Sequence, residues 1–196
     1  MAPVPPTDPA AVAAWVADRL DEEGIPYAIG GALALAAHAV PRATKDVDFS
    51  VFVPEPDLDR LFDAIERAGC LLDRARARAD VARVALFAAR HGRVGIDFFV
   101  SFHPHHHEAL ARRVAVPGPD GRPRWFLSAE DLAIHKLALA RAKDHMDLEH
   151  LFAAVGNRLD IAYVRRWLHA LTGEGDVRRA QLESLVSRFC APTRRG

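Results

Sequence analysis

Residues Tyr27–Val53 read YAIGGALALAAHAVPRATKDVDFSVFV, and the fold is decided by this stretch. The pattern predicts a strand over Tyr27–Ile29, a turn at Gly30-Gly31, a short Ala/Leu helix, a loop begun by Pro41, and a second strand. That second strand carries Asp46 and Asp48 as D-V-D-F, with Val47 and Phe49 alternating against them. Side chains two apart in a strand point the same way, so both carboxylates share one face, about 7 Å apart. Two like charges held so close are costly unless a cation lies between them, and a divalent metal is the usual answer. The Gly-Gly turn opens a helix whose N–H groups and positive dipole end suit a phosphate. A phosphate cradle followed by paired strand carboxylates points to nucleoside triphosphate chemistry.

Ile29-Gly30-Gly31, fourteen intervening residues and Asp46-Val47-Asp48-Phe49 together resemble the signature of the DNA polymerase beta-like nucleotidyltransferase superfamily. The wording P-R-x-T-x-D-x-D around Pro41, Arg42 and Thr44 resembles its bacterial minimal and abortive-infection (AbiEii-like) toxin branches. The spacer is slightly longer than usual, and Gly31 stands where Ser is commoner. The resemblance implies an α/β (α+β) nucleotidyltransferase fold: a small mixed sheet flanked by helices. A catalytic core is expected over residues 1–127, with a C-terminal helical bundle over 128–196 closing the cleft. The implied activity moves NMP from an NTP to a hydroxyl acceptor, with two Mg²⁺ ions. Members take a third carboxylate from a later apolar strand, and Asp97 in V-G-I-D-F-F-V matches it. An acid in so apolar a strand must be hydrogen-bonded or metal-bound. Bonding to backbone at a strand end is its ordinary explanation; the D-V-D-F strand favours the metal.

A second stretch, Leu127–Leu151, resembles a later signature of the toxin branch, roughly E-D-L-x-x-x-K…R-x-K-D-x-x-D. There the lysine and later acids line the nucleotide cleft, which implies a catalytic Lys136 that offsets charge on the phosphates, helped by Arg42 and Lys45, with Thr44, Arg141, Lys143 and Asp147 binding the nucleotide beside Asp144. Ser128-Ala129-Glu130-Asp131 looks like a capping box opening a long helix. If that helix is continuous, Lys143 and Asp147 fall within about 20° of the Lys136 direction; a break near Ala142–Asp144 changes this geometry and lets Lys136 act separately. An amphipathic helix with ion pairs on its wet face is the plainer alternative. The chain has 23 arginines but only three lysines, Lys45, Lys136 and Lys143, and each lysine lies beside one of these motifs. A compact ammonium suits a phosphate oxygen in a tight site better than a guanidinium does.

Composition limits the remaining classes. Half of the 196 residues are hydrophobic, so the chain can bury a core and a disordered reading fails. Net charge is zero, so a polynucleotide partner must be met by a local patch. Two isolated cysteines, Cys70 and Cys190, suit a reducing cytosol, and no run approaches a membrane span. A cytoplasmic protein without a membrane partner is expected.

Elsewhere, Asp8 caps a helix over about Pro9–Glu23, and a further helix follows Pro54–Pro56 to about Ala68. Asp57-Leu58-Asp59 in its first turn is explained by the helix dipole alone, so a bare D-x-D is weak without strand context. Strands are expected over Val81–Ala89 and Val94–Phe102. Arg74, Arg76, Arg78 and Arg83 alternate like an edge strand or loop with one basic face, protecting against aggregation or tracking an RNA backbone. His103, His105, His106 and His107 read as a solvated helix start, since no cysteine accompanies them. Val114–Val116 and Arg124–Phe126 flank a turn-dense hairpin or loop, and the rest is helical. The acceptor stays open between tRNA, a protein and a small hydroxylated molecule, with a cognate antitoxin as a further partner. The alternative is a non-catalytic nucleotide- and metal-binding partner, or antitoxin-like module, of the same fold.

Overall fold

Strict alternation in two strands builds the sheet. The computed structural model describes residues 6–100 and 103–190. Strands β1 (Tyr27–Ile29), β2 (Asp46–Val51), β3 (Leu86–His91), β4 (Val94–Val100), β5 (Val114–Pro117) and β6 (Pro123–Phe126) form one six-stranded mixed sheet in the order β3-β4-β2-β1-β6-β5. β2 runs parallel to β4 and antiparallel to β1, while β3–β4 and β5–β6 are antiparallel hairpins.

On one face, Val47, Phe49 and Val51 of β2 and Ile96, Phe98 and Val100 of β4 are buried. Helices α1 (Pro9–Glu22) and α3 (Leu58–Arg67) supply the rest of that core through Val12, Val16, Leu20, Leu61, Phe62 and Ile65. A phenylalanine row crosses three strands: Phe49 stacks on Phe98 at 5.4 Å and Phe98 on Phe87 at 5.0 Å. Phe62 of α3 meets Phe87 edge-on at 5.2 Å. Each such pair contributes about 0.5–1.5 kcal/mol beyond area burial. The row also fixes the opposite face. A one-residue slip would turn every buried side chain outward, so the register Phe49–Phe98–Phe87 dictates which polar residues stand side by side behind it.

The chain divides into two compact units, residues 1–33 with 42–127, and residues 34–41 with 128–196. Helix α2 (Gly31–His38) runs across the first boundary. The first unit holds the sheet, α1, α3, α4 (Arg74–Val84) and α5 (Pro104–Arg112). In the second, α6 (Ala129–Leu139) packs on α7 (Ala142–Val155) and α8 (Ile161–Thr172), and α9 (Val177–Phe189) packs on α7 and α8. Among the described residues, no helix is long and apolar enough to cross a membrane.

Two local expectations change. The arginines Arg74, Arg76, Arg78 and Arg83 lie on α4, not on an edge strand, because Asp73 caps its N-terminus by accepting from the Arg76 amide. Their charges are met within the unit: Arg74 binds Asp63 and Glu66 at 2.5 Å each, Arg78 binds Asp59, and Arg83 binds Asp80 at 2.8 Å. Alternating arginines in a helix point around the cylinder, so no single basic face forms. The strand expected over Val81–Ala89 starts only at Leu86, after Ala85 ends α4 in the left-handed region. Phe102, expected to end β4, lies outside the described residues.

Candidate active site

Behind the phenylalanine row stand the carboxylates. Asp48 of β2 is the register partner of Asp97 of β4, and Asp46 is the partner of Gly95. Partners in a ladder project to the same face, so Asp46, Asp48 and Asp97 share the side opposite the core. Asp48 and Asp97 are half-buried and Asp46 is exposed. Like charges directly opposite each other across a ladder weaken a sheet, so this placement of two acids is unfavourable for the strand pairing itself. The entrance to β2 is tied by Thr44, whose hydroxyl donates to the Asp46 carbonyl at 2.9 Å and accepts from the Asp46 amide at 3.3 Å. Lys45 beside it is exposed, and Arg42 donates to the Ala43 carbonyl at 3.3 Å.

The glycine turn meets the same carboxylates. The Gly30 amide donates to the Asp48 carbonyl at 2.8 Å, extending the β1–β2 ladder to the level of Asp48. Gly31, with φ of +56°, opens α2, and a Cβ built there would lie 1.8 Å from Asp48 Oδ2 and 2.6 Å from its Cγ. The backbone of the turn thus passes against the Asp48 carboxylate with no room for a side chain. This accounts physically for glycine at position 31. Gly31→Ala is expected to cost about 1–2 kcal/mol through the left-handed backbone alone. It also drives the Asp48 carboxylate aside. Calorimetry reads the first effect, and an unchanged melting temperature would contradict it.

The lysine motif is assembled differently from the continuous helix expected. Ala140 adopts a left-handed conformation that ends α6, and Arg141 caps a new helix, α7. Lys136 and Asp147 still meet, across the break: Lys136 Nζ donates to Asp147 Oδ2 at 2.6 Å and to Asp144 Oδ1 at 3.5 Å. The Lys136 side chain is only 3% exposed, and Asp144 and Asp147 are also buried. Arg141 reaches Asp144 from its Nε at 2.8 Å and from its backbone amide at 3.1 Å. Lys143 is exposed and does not share the Lys136 direction, because the break resets the helical phase. In this arrangement the Lys136 ammonium is a counter-ion inside the helical unit. On the same helix, Asp131, fully buried, accepts from Ser128 Oγ at 2.6 Å and from Tyr163 Oη at 2.7 Å, tying α6 to α8.

Several carboxyls carry a stability signature with pH. Burial pushes Asp144 up, but hydrogen bonds from Arg141 and the Lys136 charge more than offset it, leaving the carboxyl below its ordinary range. Hydrogen bonding by Arg178 holds Asp176 down to about 2, and Arg124 holds Asp120 well below the usual range. A folded-state pKa below the unfolded value of about 3.9 contributes stability above that pH, lost as pH falls through the folded pKa. Melting temperature is therefore expected to hold between pH 7 and about pH 4 and to fall steeply from there toward pH 2. A flat profile below pH 4 would contradict these pairings.

The histidine segment also departs from expectation. His103 caps α5, its ring accepting from the His105 amide at 3.2 Å, and Pro104 takes the first turn as anticipated. His105, however, is buried, so the helix start is not fully solvated.

No protein-family model matches the sequence, and neither does any curated protein. Among solved structures, the antibiotic-resistance factor ANT(2'')-Ia in solution aligns with TM-score 0.51 and 19% identity, over 91% of this chain and 89% of that one. A crystal structure of ANT(2'')-Ia with adenylyl-2''-tobramycin gives 0.48 at 18% identity, over 91% and 97%. An antigenic nucleotidyltransferase-like protein from Paracoccidioides brasiliensis gives 0.46 at 15%, over 92% and 94%. This is a nucleotidyltransferase fold. The six-stranded mixed sheet flanked by helices agrees with the architecture that the sequence resemblance implied.

Within the nucleotidyltransferase fold, one position beside the carboxylates escapes a motif-based reading. Gly95, two residues before Asp97, faces Asp46 across the ladder. Its only sequence signal is a glycine interrupting an otherwise apolar strand, which marks a close approach by another group.

Proposed function

We propose that this protein is a metal-dependent nucleotidyltransferase that moves NMP from an NTP to a hydroxyl acceptor and releases pyrophosphate. The observation supporting it most is the register of Asp48 with Asp97, two residues along from Asp46 and against the Gly31 turn. The donor set fits Mg²⁺: three carboxylates on one face offer only hard oxygens, and glycines abut two of them. When bound there, two Mg²⁺ ions supply charge neutralisation on the phosphates and a lowered pKa for the acceptor hydroxyl.

The chain's own residues do the rest. Gly30 and Gly31 admit the terminal phosphates to the amides that open α2. Asp97 accepts the proton of the acceptor hydroxyl, whose oxygen bonds the α-phosphorus. The bond from that phosphorus to the bridging oxygen breaks, and its electron pair leaves with pyrophosphate. Arg42 and Lys45, at the entrance to β2, offer positive charge to the phosphates. The buried cluster of Lys136, Asp144 and Asp147 fixes α6 against α7, and Asp144 orients Arg141.

The resemblance to the toxin branch supports a tRNA end or a protein side chain as acceptor, within a toxin–antitoxin pair. A small hydroxylated molecule is the other arm of the test. Each NTP is incubated with Mg²⁺ or chelator, and with bulk tRNA, candidate protein or aminoglycoside, while pyrophosphate is measured. Release that needs Mg²⁺ and rises with one acceptor supports the enzyme. Nucleotide binding with no release under any condition supports the non-catalytic module instead.

A further inference from the structure

We infer that Gly95 is a positioning residue for the metal site, present because a side chain there would displace the Asp46 carboxylate. This rests on the metal-site reading above and adds a residue that no motif names. Across the sheet the register runs Arg90–Gly95–Asp46 in one row and Ala88–Asp97–Asp48 in the next. Every partner in these rows projects to the same face. A Cβ built on Gly95 would stand 2.9 Å from Asp46 Oδ1 and 3.8 Å from its Cγ. The Asp46 carboxylate therefore leans over β4, on the strand that also carries Asp97 two residues further on.

The backbone does not need glycine here. Gly95 is not among the glycines with positive φ, and any residue can adopt ordinary strand conformation. Glycine inside a strand is unfavourable for stability, since it costs backbone entropy and leaves nothing to pack. A position that is unfavourable for the strand yet makes room for an acid on the candidate metal face is explained by that acid. Gly31 stands in the same relation to Asp48, but there the left-handed backbone supplies a second reason. Gly95 has only the carboxylate.

The two possible roles predict opposite pairs of changes on Gly95→Ala. If the glycine positions Asp46, the methyl group swings the carboxylate off β4 while the strand gains rigidity. Divalent affinity then falls while thermal stability holds or rises. If the glycine serves packing, stability falls and affinity does not.

The test is Mn²⁺ binding to the full chain without nucleotide, read by the electron paramagnetic resonance of free Mn²⁺, beside thermal melts. Wild type, Asp48→Ala, Gly95→Ala, Asp46→Asn and the Asp46→Asn/Gly95→Ala double variant are compared. The inference expects Gly95→Ala to weaken Mn²⁺ at least fivefold with an unchanged or higher melting temperature. It expects no further weakening when the methyl is added to Asp46→Asn. Gly95→Ala binding within twofold of wild type, while Asp48→Ala abolishes binding, overturns the Gly95 inference and leaves the metal site standing. Wild type binding no more Mn²⁺ than Asp48→Ala overturns both. A drop in melting temperature for Gly95→Ala, with equal effects on Mn²⁺ in both backgrounds, assigns the glycine to packing and also overturns the inference.

Discussion

Asp48→Asn is expected to lower Mg²⁺-dependent pyrophosphate release by about a thousandfold or more while leaving the fold intact. The substitution keeps shape and hydrogen-bonding capacity and removes one negative charge from the centre of the proposed metal face. Lost stabilisation of about 4 kcal/mol at the reacting phosphate corresponds to that factor. Stability should move the other way. Asp48 and Asp97 are register partners, and like charges directly opposite each other weaken a sheet. The amide relieves this repulsion, so the melting temperature is expected to stay or rise. An enzyme lost through misfolding would show both quantities falling, and calorimetry with circular dichroism separates the cases.

Lys136→Met is expected to give the largest loss of stability. The ammonium is 3% exposed and lies 2.6 Å from a buried Asp147 carboxylate, with a second contact to buried Asp144. Removing one partner leaves uncompensated charge in a site that water cannot reach, at a cost of about 3–5 kcal/mol. The loss should appear as early unfolding of helices α6 and α7 by hydrogen exchange. Replacing Asp147 as well, in Lys136→Met/Asp147→Leu, removes the stranded charge and should recover most of the stability. If the single variant melts within about 1 kcal/mol of wild type, the buried pair does not hold these helices together.

Much of the sheet could be read directly because two physical signals agreed there. Alternation in D-V-D-F-S-V and V-G-I-D-F-F-V put apolar residues on one face and acids on the other, and the structure keeps that alternation throughout β4 and in β2 as far as Phe49, after which Ser50 is buried as well. What the pattern could not supply was the pairing. That β2 and β4 are parallel neighbours with Asp48 beside Asp97 depends on the phenylalanine row behind them, a contact between residues far apart in sequence. The arginines of α4 misled because an alternating charge pattern resembles a strand, while the deciding signal was the cap at Asp73. The lysine motif marks a different limit: Lys136, Asp144 and Asp147 converge, but a left-handed Ala140, which no residue preference announces, breaks the helix between them and leaves Lys143 apart. Gly95 was hidden because its meaning lies across the ladder at Asp46, not along its own strand.

The most direct measurement is anomalous diffraction from crystals grown with Mn²⁺ and a non-hydrolysable NTP analogue. The account predicts Mn²⁺ peaks bounded by the carboxylates of Asp46, Asp48 and Asp97, with the terminal phosphates against the amides that open α2 from Gly31 onward. Bound nucleotide or metal elsewhere, with these three carboxylates making no contact to either, would contradict it.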